Sequence, residues 1–268
     1  MENMTSNKYN KKELEIEKIK CHIYYKENND SINKIIYWIE DHTIKAPELS
    51  LSLISLNNYM LVGFSISDWN TYLSPWYCPK LFGKEDNDFK GQGQITFDWL
   101  INNCIPIIEK EFISNKDNIT TKRYIGGYSL AALFSLWVFY SGINKKAKIF
   151  DGVCACSPSL WYIKWEEYLK DKEANDNSII YLSLGDKEGK TKNKEANEES
   201  IIYLSLGDKE GQTKNETFKK MKTGMDKMIE KVKNDKNVQK FIFEENKGGH
   251  YTDIDLRMAK GFKWIIEN

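Results

Sequence analysis

The chain has 268 residues, of which 41% are apolar and 13% aromatic, which is enough to build one globular domain with a sizeable core. Its 39 basic residues equal its 39 acidic residues, so no net charge favours nucleic acid or an anionic membrane surface as a partner. The first eighteen residues, MENMTSNKYNKKELEIEK, lack the apolar core of a signal peptide, and no later apolar run approaches the roughly 20 residues of a membrane span. We therefore expect a cytoplasmic protein with no nucleic-acid or membrane partner, while its oligomeric state stays open.

Short apolar runs alternate with longer helical patterns, which is typical of an α/β protein with a mostly parallel central sheet flanked by helices. The predicted strands are residues 35–39, 59–66, 122–125, 149–155, one or both of 179–184 and 201–206, and 238–243, with candidate edge strands in 14–25. Apolar residues at helical spacing predict helices over 97–112, with a kink at Pro106, and over 129–140, 218–232 and 254–265. Residues 43–58 are ambiguous. No linker separates two domains, so the sequence predicts a single domain over residues 1–268.

A tandem duplication interrupts this order. Residues 172–193 are followed at once by their near-copy, residues 194–215, and each copy contains the strand-like run SIIYLSLG. The copies differ at three positions: Asp176/Glu198, Asn177/Glu199 and Lys190/Gln212. Repeat folds usually need at least three units, so we interpret the duplication as one functional segment and one surplus copy, which is an insertion in the domain.

The five cysteines form no paired metal-type spacing. Cys154 and Cys156 lie two apart in a predicted strand, where both side chains would face one side. Free cysteine is among the most buried residue types. The sequence therefore predicts buried free thiols and no metal site.

The segment GGYSLAALFSLW, residues 126–137, follows a predicted strand and begins a predicted helix. Its central part, GYSLA, fits the G-x-S-x-G pattern of a nucleophile elbow with Ala131 in place of the last glycine. In that motif the serine lies in a strained turn, and small residues two positions to either side let the backbones approach. We predict that Ser129 is a nucleophile, against the alternative of a serine in an ordinary strand-to-helix turn.

A serine hydroxyl needs a base to become nucleophilic at neutral pH, and the chain offers three histidines. His250 lies in EENKGGHYTDID, between the last predicted strand and the last predicted helix. His22 lies in a strand-like run and His42 in a polar stretch, where structural or solvated roles are the simpler interpretation. We predict that His250 is the base, because it follows Ser129 in the chain and lies in the exit loop of the last strand.

Five segments together resemble the esterase branch of the α/β hydrolases that includes feruloyl, siderophore and S-formylglutathione esterases and the mycolyltransferases. They are DWNTYLSPW (68–76), GGYSLAALFSLW (126–137), SPSLW (157–161), LGDKEGKTKN (184–193) and GGHYTDIDLR (248–257). The resemblance spans residues 59–268 and implies an α/β-hydrolase fold. It also implies a serine esterase for small-molecule esters, without cofactor or metal, that uses a nucleophile, acid and histidine in this chain order.

The resemblance also implies roles for residues beside the nucleophile. The backbone N–H of Leu130 and a second donor around Trp69 would hold the oxyanion of the tetrahedral intermediate. Trp76, Trp161 and Tyr162, together with Trp69, are candidate walls of the acyl or alcohol pocket. The alternative is that these aromatic residues belong to the core.

The acid follows the penultimate strand in this family. The resemblance points to the third residue after the glycine of SIIYLSLG, which is Glu188 in the first copy and Glu210 in the second; Asp186 and Asp208 are the alternatives. One histidine is oriented by one carboxylate, so one copy must be catalytically idle.

Chain geometry gives a preference between the copies. If the second copy supplies the strand, the surplus residues enter at the strand's N-terminal end, away from chemistry at the carboxyl ends of the sheet. This favours Glu210 over Glu188. In the alternative, the first copy is native-like and the second forms a lid, and in a third case the insertion breaks the acid loop and weakens the esterase.

Two rival functions stay open. One is acyl transfer by the same triad, and the other is a non-catalytic binding protein on a hydrolase scaffold.

Overall fold

The computed structural model describes residues 9–26, 32–41, 45–80, 87–113, 120–185 and 216–268, with side chains of the helix that begins at Glu216 described from Met221 onward. Its strands are β1 (Tyr9–Ile16), β2 (Ile19–Lys26), β3 (Lys34–Glu40), β4 (Tyr59–Ser65), β5 (Tyr77–Cys78), β6 (Phe89–Lys90), β7 (Lys122–Tyr128), β8 (Gly152–Cys156), β9 (Ser178–Gly185) and β10 (Val238–Asn246). Its helices are α1 (Ala46–Leu53), α2 (Trp69–Tyr72), α3 (Gly93–Trp99), α4 (Ile105–Phe112), α5 (Leu130–Phe139), α6 (Gly142–Ala147), α7 (Trp165–Leu169), α8 (Glu216–Asn234) and α9 (Ile254–Glu267).

Eight strands form one mixed sheet in the order β1-β2-β4-β3-β7-β8-β9-β10. The six strands from β4 to β10 are parallel to their neighbours, and the β1–β2 hairpin joins β4 in antiparallel orientation at one edge. Every residue of β8 and β9 is buried, as expected for central parallel strands that are covered on both faces. The predicted α/β architecture with edge strands in residues 14–25 is confirmed.

Helices cover both faces of this sheet. On one face, α5 is buried along its whole length and packs in a large apolar cluster with α3, α4 and α8. On the other face, apolar residues of α1 and α9 form a second cluster with the sheet. The ambiguous segment 43–58 thus contains a helix, α1, whose covering role its weak periodicity did not reveal.

The predicted helix over 97–112 is irregular in its middle. A π-helical stretch, Leu100–Cys104, separates α3 from α4, and Pro106 lies in the first turn of α4. Proline has no N–H to donate and its ring crowds the preceding turn, so widening of the helix just before Pro106 avoids the clash. The predicted distortion is therefore confirmed, and it takes the form of a π-helical segment.

The first copy of the duplication supplies the strand in the sheet. Strand β9 is Ser178–Gly185, held between β8 and β10, so the preference for the second copy as this strand was wrong. The second copy lies outside the described residues, as do Asp186, Glu188, Asp208 and Glu210.

One residue before the strand, Asn177, differs between the copies in a way that favours the first. Asn177 adopts φ 62°, a left-handed conformation that asparagine enters more easily than other non-glycine residues, and the second copy has Glu199 at this position. Asn175 donates side-chain hydrogen bonds to the carbonyls of Asn144 and Phe150 at 3.2 and 3.4 Å. These bonds anchor the start of the first copy to α6 and to the segment that leads into β8.

All five cysteines are free and buried, as predicted. Cys154 and Cys156 both lie in the cluster that β8 shares with α9, so they face the same side of the sheet. In the described part of the chain, no helix is long and apolar enough to cross a membrane.

Candidate active site

Ser129 lies in a strained turn between β7 and α5. Its backbone has φ 57° and ψ −118°, a combination that a residue with a side chain rarely adopts and that is typical of a nucleophile elbow. Its N–H donates to the Cys156 carbonyl at 3.0 Å, and its own carbonyl accepts from Leu133 at 3.1 Å. These bonds fix the turn at the carboxyl end of β7, where the serine side chain is half-buried.

The residues flanking Ser129 are packed as tightly as the motif requires. A Cβ placed on Gly127 would lie 2.6 Å from the Ala131 carbonyl carbon and 2.8 Å from the Ala131 Cβ. These distances are shorter than any side chain allows, so Gly127 must be glycine. The methyl group of Ala131 fits because its partner across the turn has no side chain.

His250 approaches Ser129 from the segment that follows the carboxyl end of β10. It lies in the loop between β10 and α9, and its Nε2 is 2.9 Å from Ser129 Oγ. This is hydrogen-bonding distance for a base that removes the hydroxyl proton. The structure therefore brings together the two residues that the sequence predicted as nucleophile and base.

A second serine, Ser159, touches Ser129. Its hydroxyl lies 3.4 Å from Ser129 Oγ, and its N–H donates to the Ser129 carbonyl at 3.2 Å. Ser159 is buried in the turn that follows β8. The segment SPSLW was singled out in the sequence only as a family motif, and nothing in its spacing indicated that Ser159 approaches Ser129.

Two further residues connect the elbow to the histidine loop. Tyr128, directly before Ser129, donates a hydrogen bond from its hydroxyl to the His250 carbonyl. Arg257, in α9, is fully buried and donates to the Tyr128 hydroxyl at 3.1 Å and to the Gly249 carbonyl at 3.1 Å. The sequence prediction missed both roles, because neither depends on a spacing that the sequence shows.

The carboxyl end of β9 lies beside the strand that leads to His250. Gly185, its last residue, pairs with Asn246 of β10, four positions before His250. The end of β9 and the strand that leads to His250 are therefore adjacent, and Glu188 is the third residue after Gly185 in the sequence. The roles of Glu188 and Glu210 remain predictions.

The two predicted oxyanion donors occupy turns at the same end of the sheet. Leu130 is the first residue of α5 and is buried. Trp69 is the first residue of α2, a short helix that follows β4 and is capped by the Asp68 side chain, which accepts from the Thr71 N–H at 3.0 Å. Donation from both backbones to an oxyanion remains a prediction.

The aromatic residues proposed as pocket walls form one cluster. Trp76 and Tyr162 pack with ring centroids 5.8 Å apart, and the Tyr162 hydroxyl donates to the Trp76 carbonyl at 2.7 Å. Phe89 packs against both Trp161 and Tyr162. Burial raises the pKa of the Tyr162 hydroxyl, so this group stays neutral.

Trp161 and Tyr162 also line a surface cavity of about 610 Å³, together with Thr223 and Lys227 of α8. Ser159, which touches Ser129, lies two residues before Trp161. Whether these rings contact substrate remains a prediction.

No metal site is apparent in the described ranges, where no group of three or more His, Cys, Asp or Glu side chains is arranged to hold an ion. Neither models of protein families nor curated protein sequences gave a match to this sequence. The comparison with solved structures gave matches over nearly the whole chain.

The siderophore hydrolase EstA from Aspergillus nidulans is similar over 100% of this chain and 97% of its own, with a TM-score of 0.69 at 13% identity. EstB, a siderophore hydrolase from the same organism, matches 96% of this chain and 94% of its own with a TM-score of 0.66 at 15% identity. An IroE-like serine hydrolase from Shewanella oneidensis matches 97% of this chain and 80% of its own with a TM-score of 0.65 at 14% identity. The mixed sheet, its helical layers and these structural neighbours show that the chain has the α/β-hydrolase fold, as the sequence predicted.

Proposed function

We propose that this protein is a serine esterase that hydrolyses a carboxylic ester through an acyl-enzyme intermediate. The observation that carries the proposal is the 2.9 Å contact of His250 Nε2 with Ser129 Oγ, at a serine held in a strained elbow. A structural serine needs neither this backbone conformation nor a histidine partner. The structural neighbours named as hydrolases support the same class of reaction on this fold.

The chemistry follows from this geometry in two half-reactions. His250 takes the Ser129 proton as the oxygen attacks the ester carbonyl, and returns it to the alcohol that leaves. His250 then activates a water molecule that releases the acid and restores the serine. In both steps the backbone N–H groups of Leu130 and Trp69 are the proposed donors to the oxyanion.

We propose Glu188 as the acid that orients His250, in place of the initially favoured Glu210. Strand β9 comes from the first copy, and Glu188 follows the end of that strand by three residues. A carboxylate on the far nitrogen of the histidine would hold its ring and stabilise the imidazolium that forms during attack.

The pocket proposal follows from the position of the aromatic cluster. Trp161 and Tyr162 line a surface cavity and follow Ser159, which lies 3.4 Å from Ser129, by two and three residues. Small-molecule sites are lined mainly by apolar and aromatic side chains with a few polar groups. We propose that Trp76, Trp161 and Tyr162 shape the site for the acyl or alcohol part of a small ester.

The test is hydrolysis of p-nitrophenyl butyrate by the wild type and by Ser129→Ala and His250→Ala. We expect both variants to lose at least 1000-fold in kcat, as removal of a triad member does elsewhere. Ser50→Ala is the matched control, because Ser50 is a buried serine of α1 that donates to the Ala46 carbonyl, away from the elbow. Equal rates in wild type and Ser129→Ala would overturn the proposal.

A further inference from the structure

Arg257 is a fully buried arginine behind the histidine loop. It lies in the first turn of α9, and none of its surface is exposed. Transfer of a guanidinium from water to a protein interior costs several kcal/mol unless hydrogen bonds replace the lost water. The groups that accept its hydrogen bonds therefore indicate what Arg257 holds in place.

The two terminal nitrogens of Arg257 point to different parts of the site. Nη1 donates to the Tyr128 hydroxyl at 3.1 Å and to Ser157 Oγ at 3.3 Å. Nη2 donates to the Gly249 carbonyl at 3.1 Å and to the Lys247 carbonyl at 3.4 Å. One side chain thus links the end of strand β7 to the loop that carries His250.

Tyr128 completes this link. Its backbone leads directly into Ser129, and its hydroxyl donates to the His250 carbonyl. Its ring packs against the imidazole with centroids 5.3 Å apart. The residue before the nucleophile therefore touches both the main chain and the ring of the base.

The histidine loop is a glycine-rich turn between β10 and α9. It contains two adjacent glycines, and Gly248 adopts φ 105°, a conformation open mainly to glycine. Gly249 and Thr252 are joined by two hydrogen bonds, from the Gly249 N–H to Thr252 Oγ1 at 2.7 Å and from the Thr252 N–H to the Gly249 carbonyl at 2.9 Å. Because adjacent glycines leave the backbone many accessible conformations, we expect bonds from outside the loop to help select the one that presents Nε2 to Ser129.

We propose that Arg257 and Tyr128 are positioning residues for His250. Together they donate hydrogen bonds to the carbonyl oxygens of Lys247, Gly249 and His250. These bonds fix the loop and so keep His250 Nε2 within hydrogen-bonding distance of Ser129 Oγ. The inference rests on the proposed function, because it assigns parts in the same reaction. A displacement of a catalytic group by about 1 Å costs on the order of 100-fold in rate, so loss of one such bond is measurable.

The first variant is Tyr128→Phe, which removes one hydroxyl and keeps the ring. We expect kcat on p-nitrophenyl butyrate to fall at least tenfold while KM stays within twofold, since substrate contacts are unchanged. The matched control is Tyr124→Phe, because Tyr124 is buried on the same strand and its hydroxyl has no hydrogen-bond partner among the described residues. The control should match wild type within twofold, and circular dichroism should show both variants folded.

The second variant is Arg257→Lys, which keeps the charge but cannot bridge the hydroxyls and carbonyls with two nitrogens. We expect the same loss of kcat as for Tyr128→Phe. If Arg257→Lys does not fold, Tyr128→Phe decides the question, since it tests the bond to the His250 carbonyl directly.

A double-mutant cycle separates positioning of His250 from general support of the fold. Combined with His250→Ala, the Tyr128→Phe change should lower the residual rate by less than twofold, because it acts through the missing histidine. An equal loss in both backgrounds, or an unchanged kcat in Tyr128→Phe alone, would overturn the inference. If His250→Ala itself hydrolyses the ester at the wild-type rate, the proposed function fails as well, and that result is distinguishable from failure of the positioning role alone.

Discussion

Gly127 and Ala131 face each other across the turn that carries Ser129, and a Cβ on Gly127 would lie 2.6 Å from the carbonyl carbon of Ala131. The two positions are therefore unequal, although the elbow pattern treats both as small. Only Gly127, two residues before the serine, is restricted to glycine. Ala131, two residues after the serine, has room for its methyl group.

This asymmetry gives the first prediction. Gly127→Ala forces a backbone shift at the elbow, and overpacking of this kind destabilises by about 1 to 3 kcal/mol; we expect loss of esterase activity together with lower stability in urea. Ala131→Gly removes the methyl group without a clash. It should cost about 1 kcal/mol through its lower helix propensity and leave activity within a few-fold of wild type. Full activity in Gly127→Ala would show that the turn is looser than described.

The second prediction concerns the duplication. Deletion of residues 194–215 leaves the first copy, which supplies β9, so the shortened chain should fold and retain its esterase activity. Deletion of residues 172–193 instead leaves a shortened chain that differs from the first shortened chain at three positions. One of these differences places Glu199 where Asn177 adopts φ 62°, and we expect a loss of about 1 kcal/mol in unfolding free energy relative to the first deletion.

The matched control for this pair is Glu199→Asn in the chain that lacks residues 172–193. It should recover most of the lost stability in urea unfolding, because asparagine tolerates the left-handed conformation. Failure of the chain lacking residues 194–215 to fold would contradict the interpretation of the second copy as surplus.

The third prediction assigns the acid, and it is best tested in a single-copy chain. The strand sequence SIIYLSLG is the same in both copies, so a second copy offers the same side chains to β8 and β10 and could compensate a change in the first. In the chain without residues 194–215, Glu188→Gln should lower kcat by about 10⁴-fold, as loss of the triad carboxylate does elsewhere. Asp186→Asn is the matched comparison and should lower kcat only slightly. The reverse ranking of the two variants would make Asp186 the acid.

The fourth prediction uses the cysteines. All five are free and buried, and burial raises the pKa of the Cys154 and Cys78 thiols. Because the thiolate is the reactive form, the native protein should react slowly with a disulfide reagent at pH 7. Five thiols should react once the protein is unfolded in guanidinium chloride. Rapid reaction of one thiol in the native protein would show that its site opens.

The sequence predicted the parts of the site that depend on local pattern. The strand, the small residues and the helix around Ser129 lie within one continuous segment, and His250 follows the last strand between two glycines and a helix. Parallel strands bring such carboxyl ends to one edge of a sheet. The fold and this pair of residues could therefore be inferred without coordinates.

The parts that were missed depend on contacts between distant segments. Ser159 and Arg257 reach the elbow from the turn after β8 and from α9, and no spacing in the sequence marks such contacts. The copy that forms β9 was assigned wrongly because tolerance of an insertion was taken as the criterion. A local difference favours the first copy instead: Asn177 adopts the left-handed conformation before the strand, and glutamate at that position would do so at a cost.

The most direct test of the central claim is labelling of the full chain with a fluorophosphonate, followed by peptide mapping by mass spectrometry. In this reaction Ser129 Oγ forms a bond to phosphorus, fluoride leaves, and His250 takes the hydroxyl proton, so the label reports an activated serine without knowledge of the natural ester. We predict one label, on Ser129, that is absent in Ser129→Ala and formed far more slowly in His250→Ala. A chain that stays unlabelled, or that carries the label on another residue, would contradict the assignment of Ser129 and His250 as nucleophile and base.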